Sequence, residues 1–404
     1  MIRKGIIAYY GAFITDCAKE RRNLPVLNHA ASKRMLRIAQ GLTRKNRRCV
    51  ILSPCLAPKI ATTWRELDSF SQRVGCIAVL FIAQWGVRFL GYILTPITAI
   101  MAAVQLNKRH NIEIVVQYNY QPDAFIFSLW CKCVYRARVI LDLEDVSIPR
   151  LSDWRKGSEV RPLNEIWTSI IMKWSIGLAD LVFAPSRKLG CVVKNKTKFL
   201  PVTGCQAVAT QLDSATINRK KNCINILMSG GIKFENGIEV LADGVKLADS
   251  RGPQSRLSIK VCGPGKYEWL KDRLRDLENI TVEYLGFLSN EEFEMIYRDI
   301  DICLALQKPE GRYGQFKAPS KGYEALCSGK ALVVSEVGDF DLLPDETCFK
   351  LKPYSAERFS EILCSLTVDS VYARRLEALK YARQNFQSKL VGQTIIDKLS
   401  TLTR

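Results

Sequence analysis

Short, almost wholly apolar runs recur along this chain, each followed by a polar loop and then by a stretch with helical spacing. Strands apolar on both sides belong inside a parallel sheet whose two faces are covered by helices, so the alternation restricts the chain to an open α/β architecture. The spacing predicts strands at Gly5–Phe13, Cys49–Ser53, Ile112–Gln117, Ala137–Leu143, Leu181–Pro185 and Lys198–Val202. Between the first two, Asn28–Lys45 reads as an amphipathic helix with Ala31, Met35, Ile38, Ala39 and Leu42 on one face. A polar stretch carrying Arg219, Lys220 and Lys221 then interrupts the series. The pattern restarts at Ile224–Met228, Leu257–Cys262, Ile280–Tyr284, Ile302–Leu306 and Ala331–Val334. A length of 404 residues accommodates two doubly wound Rossmann-like domains. The expected division is a first domain over residues 1–210, a linker at 211–221, a second domain over 222–384 and a closing helix at 385–404 that packs back on the first. Ligands of such sheets bind beyond the carboxyl ends of the strands, so two facing domains would form a cleft.

Charge and thiols narrow the partners. A formal net charge of +19 favours an anionic partner such as nucleotide phosphate, nucleic acid or acidic lipid. No RNP-like aromatic series, zinc finger or continuous basic helix speaks for nucleic acid. The 14 cysteines are scattered and the 2 histidines stand far apart, without the spacing of a zinc site or a Cys–His nucleophile, which suits reduced thiols in the cytoplasm. Residues 1–50 hold twelve Lys and Arg against Asp16 and Glu20, and Lys33, Arg34 and Arg37 stand among them as a prospective contact with an anionic membrane surface. The segment Val74–Leu106 is nearly continuously apolar. Gln84, Arg88 and Pro96 interrupt it, so it is expected to form buried or membrane-surface helices instead of a span.

The residues that suggest chemistry follow strands. In Ala318–Val334 a helix is expected over Lys321–Ser328, with Ser320 as its cap and Gly329 as its end. A helix N-terminus beside Lys321 suits a diphosphate, and Glu324 one turn on suits ribose hydroxyls; the same string is equally a capped helix packed on a sheet. Gly230 and Gly231 after the first strand of this half, with Lys233 nearby, would let a backbone approach phosphate closely, although a tight βα turn needs glycine on ordinary grounds too. Gly263 and Phe287 follow the next two strands and would line the same rim. Asp142, Glu144 and Asp145 gather at a strand end of the first half, where a capping carboxylate is the competing explanation. Asp299 with Asp301, and Asp339 with Asp341, have D-x-D spacing but join helices to strands, and no metal is expected there.

Taken in order, ILMSGGIKFENGIEVLADG, VCGPGKYEWL, ITVEYLGFLSNEEFEMIYRDIDICLAL and PSKGYEALCSGKALVVSEVGD resemble the donor domain of family 4 retaining glycosyltransferases of the GT-B fold. Upstream, VILDLEDV, LADLVFAPSRKLG and KFLPVTG are similar to the same family, so the resemblance covers nearly the whole chain. It implies GT-B architecture, with the acceptor domain first and the nucleotide-sugar domain second. It further implies a UDP- or GDP-linked sugar as substrate, no separate cofactor or metal, and a glycan or lipid-linked acceptor, as in bacterial surface-polysaccharide assembly at the inner face of the cell membrane. Glu324 then matches the ribose-binding glutamate and Lys321 the lysine of the P-x-K-x-x-E variant. Ser320, Gly230, Gly231, Lys233, Gly263 and Phe287 would complete the donor site, and Glu144 with Asp145 would be the catalytic candidates of the first half. The chain departs from the pattern at Phe316, where a glutamate is common, and at Gly231 and Asn236, where Arg and Lys are usual. A nucleotide-sugar epimerase or sugar phosphorylase of the same fold, or a non-catalytic relative, stands as the alternative.

Overall fold

The computed structural model describes residues 5–22, 29–43, 47–54, 66–67, 69–85, 88–144, 162–210, 212, 223–309, 316 and 319–402. The chain divides into two compact units, Met1–Cys205 with Ser388–Arg404, and Gln206–Gln387. Of the linker stretch 211–221, only Leu212 lies among the described residues.

Numbered in chain order, the strands of the first unit are β1 (Gly5–Tyr10), β2 (Arg48–Ser53), β3 (Glu66–Leu67), β4 (Phe70–Val74), β5 (Ile77–Phe81), β6 (Gln84–Trp85), β7 (Asn111–Tyr118), β8 (Arg138–Asp142), β9 (Leu181–Ala184) and β10 (Phe199–Pro201). Eight of them form one sheet in the order β10-β9-β8-β7-β1-β2-β5-β4, while β3 and β6 pair separately. Only the β4–β5 edge pair of that sheet is antiparallel. Successive side chains of a strand point to opposite faces. Ile7 and Tyr9 accordingly enter a core with Met35, Ile38, Ala39 and Leu42 of the His29–Leu42 helix and with Val391, Ile395 and Leu399 of the Ser388–Thr401 helix. Ile6, Ala8 and Tyr10 enter a second core with Ala99, Ala103, Ala124 and Phe127 of the helices Arg88–Arg109 and Pro122–Tyr135. The His29–Leu42 and Ser388–Thr401 helices meet backbone to backbone, since a Cβ on Gly41 would lie 1.9 Å from the carbonyl oxygen of Ser388.

The second unit carries β11 (Cys223–Ser229), β12 (Arg256–Cys262), β13 (Ile280–Gly286), β14 (Ile302–Ala305), β15 (Ala331–Ser335) and β16 (Phe349–Leu351) in the order β13-β12-β11-β14-β15-β16, all parallel. In each sheet the strand order reverses beside the first strand, between β1 and β7 and between β11 and β14. Crevices of this kind sit at the carboxyl ends of the strands.

One expectation is corrected. The start of Val74–Leu106 is not helical: β4 and β5 form a hairpin closed at Gly75, whose φ of 58° ends the first strand. Only from Arg88 does the apolar stretch become a helix, and among the described residues no helix is long and apolar enough to cross a membrane. The basic residues near the N-terminus are also less available than their number suggests. Arg22 is buried, donating to the carbonyls of Pro54 at 3.3 Å and Ile82 at 2.9 Å. Arg34 is engaged internally, as shown below, and Arg47 pairs with Glu113 at 3.3 Å. Arg3, Lys4, Arg44 and Lys45 lie outside the described residues.

Candidate active site

In the second unit the carboxyl ends of β11, β12 and β13 are knitted together through glycine. The Gly230 N–H donates to the Cys262 carbonyl at 2.9 Å, and the Gly263 N–H donates to the Gly286 carbonyl at 2.7 Å. Gly263 has φ of 120°, and a Cβ there would lie 2.0 Å from the Gly230 carbonyl oxygen, so only glycine lets the two loops lie this close. Tyr267 fixes the rim from beneath, its hydroxyl donating to the carbonyls of Gly263 and Gly286. Asn236 closes the glycine loop on itself, its side-chain amide donating to the Gly231 carbonyl at 2.6 Å. Lys233 is exposed at the rim, and Phe287, just past β13, is 72% exposed.

The Ser320–Cys327 helix enters this rim from β14's side. Pro319, not Ser320, occupies the cap position: Ser320 is the first helical residue, and no side chain caps the helix. Gly329, with φ of 65°, ends it. Lys321 reaches across the switch point. Its ammonium donates to Ser229 Oγ at 3.3 Å and would stand 2.7 Å from a Cβ placed on Gly230. Glu324, one turn later, is half-buried. Burial, then Cys303 and more distantly Glu324, push the Tyr297 phenol well above its ordinary range. Phe316 is half-buried at a turn. The D-x-D at Asp299 and Asp301 serves the fold, since Asp301 accepts the Asn225 N–H at 3.0 Å and pairs with Arg375 at 3.1 Å. Asp339 stands at the N-cap position of the short helix Phe340–Leu342, without a side-chain capping bond, and that helix contains Asp341.

The first unit presents a buried charge network beside its own switch point. Asp142, at the end of β8, is fully buried, with Oδ2 accepting the Tyr9 hydroxyl at 2.5 Å and Oδ1 paired with Arg34 at 3.0 Å. Burial would lower the Arg34 guanidinium, but the charges of Asp142 and Glu144 hold it above its ordinary value. Glu144 accepts the Tyr118 hydroxyl, and its own N–H donates to Asn119 Oδ1 at 2.8 Å. Asn119 sits at φ of 52°, a conformation asparagine tolerates better than most residues. Of the carboxylates weighed from sequence, Asp142 therefore has both oxygens committed to holding β8, β1 and the His29–Leu42 helix together. Glu144 is half-buried at the strand end, and Asp145 lies outside the described residues. Tyr9, Arg34 and Tyr118 were not distinguishable as site residues by sequence; their one local signal is a run of polar and aromatic residues, Gln117 to Tyr120, where a buried strand ends.

Residues 223–369 match the family described as glycosyl transferases group 1. The matched stretch lies wholly within the second unit, Gln206–Gln387. Every loop just described in that unit, from Gly230 to Gly329, falls inside the matched group 1 stretch. Solved structures of GT-B glycosyltransferases share the fold of the entire chain. Sucrose-phosphate synthase from Thermosynechococcus elongatus is 14% identical with a TM-score of 0.63, covering 98% of this chain and 99% of its own. Anabaena HepE, solved in complex with UDP and glucose, is 14% identical at a TM-score of 0.60, covering 99% and 100%. The trehalose-6-phosphate synthase OtsA is 10% identical at 0.65, covering 98% and 99%. None of the curated proteins matches the sequence.

Proposed function

We propose that this protein is a retaining glycosyltransferase of family 4 that moves a sugar from a UDP- or GDP-linked donor to a hydroxyl of a glycan or lipid-linked acceptor, in surface-polysaccharide assembly at the inner face of the cell membrane. The observation that carries it is the Lys321 ammonium laid over Gly230 at the β11–β14 switch point, within the stretch that matches the group 1 family. Departure of a nucleoside diphosphate loads negative charge onto its phosphates as the glycosidic bond lengthens. A fixed cation over a glycine loop stabilises that charge more in the transition state than in the ground state. Lys321 is this cation, with Lys233 and the side-chain-free backbone of Gly230, Gly231 and Gly263 beside it. Ser320 opens the helix at the phosphate end, Glu324 receives the ribose hydroxyls, and exposed Phe287 offers a face to the base. Retention follows if the departing diphosphate accepts the acceptor's proton on the face it leaves. In the first unit Glu144, held by Tyr118 and Asn119, and Asp145 are the groups proposed to orient the acceptor hydroxyl.

The test supplies UDP- and GDP-sugars with and without lipid-linked or short glycan acceptors and measures nucleoside diphosphate release and product anomeric configuration. Release that requires acceptor, with retention, supports the proposal; nucleotide binding without turnover on any pair would assign a non-catalytic role. Activity should survive EDTA, because Asp301 is already committed to Asn225 and Arg375. A strict requirement for added Mn²⁺ or Mg²⁺ would overturn the metal-independent part.

A further inference from the structure

The helices Arg88–Arg109, Pro122–Tyr135 and Pro162–Leu178 cover one face of the first unit's sheet, the face to which Tyr10 and Phe127 point. The third helix is tied to that face by Gln117, which donates to Ser175 Oγ at 2.9 Å from the side of β7 opposite Val116. Amphipathic surface helices turn a polar stripe outward. These three do not. Ile97 and Met101, one turn apart on the first helix, are 48% and 58% exposed. Leu129 and Val134 on the second are 39% and 55% exposed, and Trp167 and Trp174 on the third are 52% and 51% exposed. The aromatic part is continuous across helices, since Trp174 lies 5.9 Å from Phe125 and 6.3 Å from Trp167 between ring centroids.

A solvent-exposed layer of this kind marks an interaction surface, and its surroundings choose the partner. Exposed Lys108, Arg109, Arg136 and Lys173 stand on these helices or directly after them. The nearby described carboxylates are occupied: Asp123 is buried and accepts the Tyr10 hydroxyl at 2.7 Å, and Asp180 pairs with Lys132 at 2.7 Å. Apolar side chains with tryptophan, accompanied by exposed cations on the same helices, match the interface of an anionic bilayer, where indole rings and chain ends enter and lysines meet phosphate.

We infer that this three-helix face seats the protein on an anionic lipid bilayer, in place of the N-terminal basic cluster from which Arg22 and Arg34 are withdrawn. The inference rests on the membrane half of the proposed function and gives it a surface. The test contains neither donor nor acceptor, so failure here leaves sugar transfer unaffected. The full chain is co-sedimented with vesicles of phosphatidylglycerol and phosphatidylcholine and with phosphatidylcholine alone, and tryptophan emission is followed with brominated lipid. Expected are binding to the anionic vesicles, quenching, and a drop of about tenfold or more in partitioning for Trp167→Ser with Trp174→Ser, given the apolar area each indole buries. Should that pair fail to fold by circular dichroism, Met101→Gln with Ile97→Gln carries the test and should weaken binding in the same direction. No sedimentation of the wild type overturns the inference, as does undiminished binding of the folded variants. A dimer in light scattering that the same substitutions dissolve, without lipid binding, would assign the face to a second copy instead.

Discussion

Replacing Gly230 by alanine separates the loop's contribution to folding from its contribution to binding. At φ of 110° a methyl is strained whatever surrounds it, at about 1–3 kcal/mol of stability. The new carbon would also meet Lys321 Nζ at 2.7 Å and Cε at 3.3 Å. These are the far end of a flexible side chain, so the ammonium moves and the sheet does not. A charged hydrogen bond of this kind is worth about 1.5–3 kcal/mol, or roughly 10- to 150-fold in affinity. Gly230→Ala should therefore weaken UDP or GDP binding nearly as much as Lys321→Met does. Because both act through one ammonium, their losses should not add: the double variant should bind much like either single, with a coupling close to the whole Lys321 contribution. Gly263→Ala is the contrast. There the methyl would meet the Gly230 carbonyl at 2.0 Å, backbone against backbone, and the dominant result should be a lower melting temperature. The assay is calorimetric titration of UDP and of GDP into the four members of the cycle. A folded Gly230→Ala that binds nucleotide like wild type, or strictly additive losses, would refute the placement of Lys321 at the phosphates.

Kinetically, Glu324→Ala should act mainly on KM for the donor and Lys321→Ala mainly on kcat, since phosphate charge grows toward the transition state; unchanged constants in both folded variants would remove them from the site. Arg34→Met strands the buried Asp142 carboxylate and should cost about 3–5 kcal/mol in urea unfolding, much of which Asp142→Leu added to it should return. Burial, then the Asp142 charge, hold the Tyr9 phenol well above its ordinary value of 10.0, so the folded state keeps a proton that the unfolded chain releases. That stability is complete below about pH 10 and is lost as pH rises toward the folded value, so Tyr9→Phe should flatten part of the alkaline fall in melting temperature. An equally steep fall would show that other groups carry it.

The central strands were legible because each is buried on both sides and reads as an unbroken apolar run, Ile224 to Met228 being one case. The β4–β5 hairpin was not, because its apolar residues merge with those of the helix from Arg88, and only the conformation of Gly75 marks its turn. Phe349–Leu351 is too short to carry a period. In the site, glycine loops stand out because they follow strands directly. The Asp142 network does not, because Arg34 and Tyr9 reach it from 108 and 133 positions away and each is locally an ordinary helix or strand residue. Arg34 in particular counted toward a basic surface until the fold turned it inward.

The Ser388–Thr401 helix gives the first unit a late-arriving piece. Val391, Ile395 and Leu399 fill the core beside Met35 and Tyr9, and Gly41 faces Ser388 at van der Waals range or closer for any added carbon. During synthesis at roughly 5–20 residues per second, everything from residue 206 onward must be made first, a delay on the order of 10–40 s. Through that interval the N-terminal sheet lacks the helix that fills the apolar side of its His29–Leu42 helix, while the Gln206–Gln387 unit, contiguous in sequence, has all of its strands by the time Ser388 is added. The order of maturation on the ribosome is thus reversed relative to the order of the sequence, and the nascent first unit is the part of the molecule that needs shielding by chaperones.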